Sequence, residues 1–185
     1  LLDLLAAGHR LVLTHGNGPQ VGEEMLRMEI SKLIMPALTL ALCVAETEGS
    51  LGYAIQQVLG HLMRQRGMRQ RVAAVVTQVV VDADDPAFKK PTKPIGQFYR
   101  KAQAARLAKE YGWDVVEDAG RGWRRVVPSP RPVRVVEAPM IRTLVEAGMI
   151  PIAVGGGGVP VIETDDGMRG IEARIIEVEV DIRIG

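Results

Sequence analysis

Two short apolar stretches of this chain run straight into glycine. Residues 11–14 (Leu-Val-Leu-Thr) pass into His15-Gly16-Asn17-Gly18-Pro19, and residues 150–154 pass into Gly155-Gly156-Gly157-Gly158. Open α/β sheets receive ligands where a buried strand ends in such a loop. Glycine lets backbone N–H groups approach an anion with no Cβ in the way. The first loop leads into a segment with Met25, Ile30, Leu33 and Ile34 at helical spacing. A helix beginning there would offer unpaired N–H groups and the positive end of its macrodipole. One glycine loop could equally serve a tight turn. Two of them at strand ends, one four glycines long, favour an anion cradle. Neither fits GxxxxGK[ST] or GxGxxG in its required context, so a P-loop or Rossmann site is not the reading.

The remaining pattern is α/β. Ser50 reads as an N-cap, and Leu51, Ile55, Val58, Leu59 and Leu62 mark one helical stripe ending near Gly67. Residues 72–81 read as one strand buried on both faces. Together these segments form a crossover unit, which implies a largely parallel sheet. Residues 82–97, polar and punctuated by Pro86, Pro91 and Pro94, read as a loop. A helix is expected over 98–109 before Gly112, then a hairpin pairing 113–116 with 123–127. Pro128, Pro130 and Pro132 keep the chain extended, and Pro139 opens a helix that buries Ile141, Leu144 and Val145 before Gly148. A strand resumes at 159–162, and strict alternation over 175–184 predicts a half-exposed strand.

Composition removes several function classes. The 185 residues carry 23 Lys+Arg against 22 Asp+Glu, a net +1, with 4% aromatic residues. That balance argues against nucleic-acid binding. The longest mostly apolar run, 33–45, is broken by Pro36 and is too short for a membrane span, which needs about 18 residues. A lone Cys43 excludes an internal disulfide framework and fits a reducing, cytoplasmic setting. No signal peptide is legible at the start. Residues 1–8 read as the last turns of a helix, so the chain is expected to be a piece of something longer.

Few side chains stand out as chemical. Lys89, Lys90 and Lys93, with Arg100 and Lys101 beyond, could bring an ammonium over a transferring phosphoryl group, although a solvated basic loop is the plainer reading. Arg121, Arg124, Arg125, Arg131 and Arg134 form a second basic run, which most often means an exposed face. His15 reads as a structural hydrogen-bonder more readily than a general base. Cys43 sits among apolar residues and reads as core. No metal-ligand spacing appears.

Several strings taken together resemble carbamate kinase, of the amino-acid-kinase superfamily. They are Thr14-His15-Gly16-Asn17-Gly18-Pro19-Gln20-Val21-Gly22, Ala45-Glu46-Thr47-Glu48-Gly49-Ser50-Leu51-Gly52-Tyr53, Pro91-Thr92-Lys93-Pro94-Ile95-Gly96, Gly122-Trp123-Arg124-Arg125-Val126-Val127-Pro128-Ser129-Pro130 and Gly155-Gly156-Gly157-Gly158-Val159-Pro160-Val161-Ile162. The resemblance implies reversible phosphoryl transfer between ATP and carbamate, with ATP/ADP and nucleotide-borne Mg²⁺, by a homodimer. It also implies an open αβα sandwich with a small protruding subdomain. Residues 1–81 and 135–185 would form an incomplete α/β core, and residues 82–134 the protrusion. It places Gly16, Asn17 and Gly18 at the substrate, Gly155, Gly156, Gly157 and Gly158 along its border, and Lys93 on the transferred phosphoryl group.

The family also has an initial strand with a Gly-Gly-Asn loop, and a Val/Ile-Asp-Lys-Asp segment after Gly-Ile/Val-Glu-Ala. Here Gly170-Ile171-Glu172-Ala173 is followed by Arg174-Ile175-Ile176-Glu177, with no lysine after Lys109. The expectation is therefore a weak or inactive kinase of marginal stability when this chain stands alone. A non-catalytic relative that keeps the anion pocket as a binding or subunit-interaction module is the alternative. A kinase of acetylglutamate or aspartate ranks below both.

Overall fold

The computed structural model describes residues 1–31 and 33–175. In chain order the elements are α1 (Leu2–Ala6), α2 (Gly18–Ser31), α3 (Leu40–Gln65), β1 (Val72–Ala74), β2 (Gln78–Val81), β3 (Lys93–Tyr99), α4 (Lys101–Tyr111), β4 (Asp114–Glu117), β5 (Trp123–Val127), β6 (Pro132–Val135), α5 (Ala138–Glu146), β7 (Ile150–Ile152), β8 (Val159–Thr164) and β9 (Gly167–Gly170). Among the described residues no helix is long and apolar enough to cross a membrane.

The central pairings are parallel. β1 lies beside β7, and β2 lies beside β8. Leu13 adds one parallel bridge on the other side of β7. Antiparallel partners close the edges, β6 on β2 and β9 on β8. Helices cover both faces of this sheet. Val80 and Val161 pack with Val21 of α2 and with Leu40, Cys43 and Val44 of α3. Val79, Val81 and Ile162 point the other way and pack with Ile141 of α5. The alternation along β2 therefore buries both faces, as its run of valines requires. The result is an αβα arrangement with a mixed sheet.

A separate antiparallel sheet, in the order β3-β5-β4, stands beside the two-stranded β1-β7 and four-stranded β6-β2-β8-β9 sheets. Its core is small: Tyr99, Ala104 and Leu107, with Trp113, Val115 and Trp123 packed around them. The hairpin of β4 and β5 lies where the alternation placed it. Gly112 ends α4 in the left-handed conformation, the usual glycine position just past a helix.

Three expectations need correction. α3 begins ten residues before Ser50, capped by Thr39, whose Oγ1 accepts from the Leu42 amide at 3.3 Å. Its first turns contain Leu40, Ala41, Cys43 and Val44, all buried, so no polar face marks the start. Residues 72–81 form two strands. Between them Thr77 diverts its Oγ1 to accept from the Val154 amide and gives its own amide to Glu48. Residues 82–97 are not all loop, because Lys93 opens β3 and is paired with Val127. The expected strand over 175–184 lies, beyond Ile175, outside the described residues.

Candidate functional site

The glycine loops reach one another, and they do so in different ways. The expected strand over 11–14 is reduced to a single bridge at Leu13, and the first loop leads from it into a helix. Asn17 is the N-cap of α2, its carbonyl accepting from the Val21 amide at 3.0 Å. Among the described residues, nothing accepts from the amides of Gly16, Asn17, Gly18 and Gln20. The second loop joins β7 to β8, strand to strand. Its amides are taken within the chain: Gly156 donates to the His15 carbonyl at 2.6 Å, Gly157 to Val154 at 3.1 Å and Gly158 to Gly155 at 3.0 Å. The Gly155 amide faces the Glu48 carboxylate. Entry to this loop is strained, for Val154 has φ 55°, rare for a β-branched residue. Two threonines hold it there. Thr14 donates to the Val154 carbonyl and Thr77 accepts from its amide, both at 2.9 Å.

Gly156 shows how close the contact is. A Cβ built on it would lie 1.8 Å from Asn17 Oδ1, and its φ is +62°. Asn17 is fully buried. Its Nδ2 donates to Thr47 Oγ1 at 2.9 Å, and its Oδ1 accepts from Arg174 Nη2 at 2.5 Å. The side chain of Asn17 is thus occupied in joining α3 to the segment that carries Arg174. His15 lies with its ring against Gly155 and its Nδ1 3.1 Å from the Gly16 carbonyl oxygen, a structural placement.

Lys93 meets Gly18 across a cleft of about 530 Å³. One wall is the start of α2, with Gly18, Pro19 and Gly22; the other is β3 with Lys93 and Gly96, and Arg124 and Arg174 also line the space. The walls stay near each other because α2 packs on β3 through glycine: a Cβ on Gly22 would lie 3.6 Å from the Gly96 Cα. Lys93 is half-buried, whereas Lys89 and Lys90 are exposed. Gly155–Gly158 do not line the cleft; Gly156 lies against Asn17 and Gly155 against His15.

The second basic run is divided by strand alternation. Arg124 turns to the cleft side, where it donates to Asp118 Oδ2 at 3.1 Å and to the Gly96 carbonyl at 3.0 Å. Asp118 is held below the usual carboxylate range, first by its hydrogen bond from Arg124. Arg125 points the other way, over Trp113 at 5.0 Å, and donates to Glu172 Oε2 at 3.0 Å. The other Glu172 oxygen accepts from the Leu40 amide at 2.7 Å. Arg134 pairs with Glu163.

Two buried acids of opposite interest lie nearby. Burial pushes Glu48 from about 4.5 up to about 8, although Thr77 and Gly155 amides favour its charge. Its Oε1 is buried without a partner among the described residues. The Cys43 thiol rises to about 11, first through burial and then through Glu46, Glu172 and Glu24. Cys43 is fully buried and protonated, a core residue as its apolar surroundings implied.

Arg174 is the residue that sequence reasoning missed. It opens the stretch that departs from the expected motif after Gly170-Ile171-Glu172-Ala173, and only the fold shows that it enters the cleft.

Comparison with known proteins agrees with this architecture. A carbamate kinase of Pyrococcus furiosus is 51% identical over 134 residues, 71% of this chain and 43% of its own length. Carbamate kinase 1 of Enterococcus faecium is 48% identical over 136 residues, 73% of this chain and 44% of its own. The chain is a relative of the carbamate kinases. A solved carbamate kinase from Giardia lamblia bound to AMP-PNP superposes with TM-score 0.85 and 38% identity, covering 94% of this chain and 55% of that one. A structure from Aeropyrum pernix superposes with TM-score 0.88 and 39% identity, covering 94% and 56%. The chain therefore spans about half the length of the relatives it matches. No family model matches it.

Proposed function

We propose that the cleft between α2 and β3 is the phosphoryl site of a carbamate kinase-type phosphotransferase. The observation that carries this reading is the meeting of Lys93 with the open amides at the start of α2. In the reaction, an oxygen of the ADP β-phosphate attacks the phosphorus of carbamoyl phosphate. The bond from phosphorus to the carbamate oxygen breaks, and carbamate leaves with the electron pair. Charge spreads over the three equatorial oxygens, so catalysis depends on position and neutralisation. Lys93 supplies a cation from one wall and the helix terminus supplies N–H donors from the other.

In this reading Gly18, at the cleft wall, and Gly16 beside it hold the substrate through their main chain, and Asn17, fully buried, fixes the loop from beneath. Gly155–Gly158 border the site from behind by fixing Asn17 and His15. The cationic lining fits the phosphate end of ATP or ADP, and Mg²⁺ arrives with the nucleotide. Pairing with a second copy and a cytoplasmic setting belong to the same reading. Leu42, Tyr53, Val58 and Leu62, exposed apolar residues of α3, support the pairing.

The test is ATP formation from ADP and carbamoyl phosphate, with Lys93→Met alongside. We expect the variant to lose about 10²–10³ in rate, the usual effect of removing one preorganised electrostatic contact. Equal rates for the two proteins would remove Lys93 from the chemistry. Carbamoyl phosphate binding with no ATP formed would leave a binding module in place of an enzyme.

A further inference from the structure

We infer that Arg174 is a further anion-binding residue of this cleft, holding a phosphate-sized anion through Nη1 from the sheet side while Lys93 faces it from β3. The inference rests on the reading of the cleft as a phosphoryl site and extends it to a residue that the resemblance did not supply.

The backbone of Arg174 is pinned. Its amide donates to the Pro128 carbonyl at 3.1 Å, and both neighbours, Ala173 and Ile175, are buried. The side chain is itself only 6% exposed, yet it lines the cleft. Nη2 donates to Asn17 Oδ1 at 2.5 Å and to the Gly156 carbonyl at 3.4 Å. Nη1 is buried and has no partner among the described residues.

A guanidinium so buried requires a counter-charge. Both of its hydrogen-bond acceptors here are neutral. The acid that acts on it is Glu48, whose carboxyl is pushed up to about 8 by burial, against its charged form. The nearby cations add to the demand. Lys93 and Arg124 line the same cleft, and Arg124 also keeps a buried Nε without a partner among the described residues. Among those residues Glu23 is the one acid in the lining. A multiply charged oxyanion would satisfy Nη1 and balance the cleft. Its oxygens would face Nη1 of the guanidinium on one side, an ammonium on the other, and the amides of α2 between.

Calorimetric titration with inorganic phosphate and with carbamoyl phosphate tests this on the 185-residue chain. The comparison is among wild type, Arg174→Gln, Arg174→Met, Arg174→Lys and Lys93→Met. Glutamine can still donate to Asn17, so it removes the charge while keeping the neighbouring contact. Methionine keeps only the apolar stem, and folding of either variant is sufficient for the test. Removing one charge-assisted contact should weaken both anions about tenfold to a hundredfold, with lysine restoring part of the loss. A merely structural role would lower the melting temperature and leave the affinity of the folded protein unchanged. Wild-type affinity in folded Gln or Met variants, with Lys93→Met weakened, would overturn the role of Arg174 and leave the cleft reading standing. Wild type that binds neither anion at millimolar concentration would overturn both.

Discussion

The two glycine loops look alike as strings and behave as opposites. The loop at Gly16–Gly18 leads into a helix, and the first turn of a helix cannot satisfy its own N–H groups. The loop at Gly155–Gly158 passes from strand to strand beside another broken strand, so its amides find acceptors at His15, Val154 and Gly155. One loop leaves its donors without acceptors among the described residues. The other uses them to lock the sheet at the level where β1 gives way to β2. The element that succeeds a glycine run decides its role more than the number of glycines in it.

Substitution should separate the two most sharply at Gly156. Gly156→Ala forces a methyl group into Asn17 and a side chain into positive φ. We expect a loss of at least about 3 kcal/mol in chemical denaturation, or failure to fold. A soluble variant with an unchanged midpoint would break the comparison. The pH dependence of stability comes next. Glu48, with its folded value near 8, holds a proton that the unfolded chain releases near 4.5. Stability should therefore fall as pH rises from about 4.5 through 8 and level off above it. Glu48→Gln should flatten that slope and raise stability at the alkaline end; an unchanged slope would separate Glu48 from the lock.

The smallest effect is expected at Gly18→Ala. Nothing lies within 4 Å of a Cβ there and the φ is ordinary. Melting should shift by no more than the equivalent of about 0.5 kcal/mol. Phosphate affinity should fall a few-fold, because the methyl group stands at the cleft wall. A large melting shift would show that this loop, too, is part of the lock.

Much of the frame was legible because it depends on local chemistry. The hairpin of β4 and β5, the stop at Gly112 and the helix opened by Ala138 and Pro139 come from alternation, left-handed glycine and N-terminal proline. The features that escaped depend on contacts far along the chain. Thr77 breaks a valine-rich run because it serves Val154, 77 residues away. The start of α3 carries apolar residues where a surface helix would show polar ones, since both the sheet and α2 cover it. Lys93 read as a loop residue because two prolines flank it, although strand pairing with β5 fixes it. The strings drew attention to Gly18 and Lys93, which line the cleft, and to Gly155–Gly158, which do not. Arg174 went unnoticed, because one arginine in an unfamiliar segment acquires meaning only beside Asn17 and Gly156.

Glu172 has a mechanical consequence. One oxygen holds the first turn of α3, and the other holds Arg125 on the strand next to Lys93. The same residue stands two positions before Arg174. A shift of β5 relative to α3 would stretch both bonds, so the strand beside Lys93 and the segment leading to Arg174 are tied through a single carboxylate.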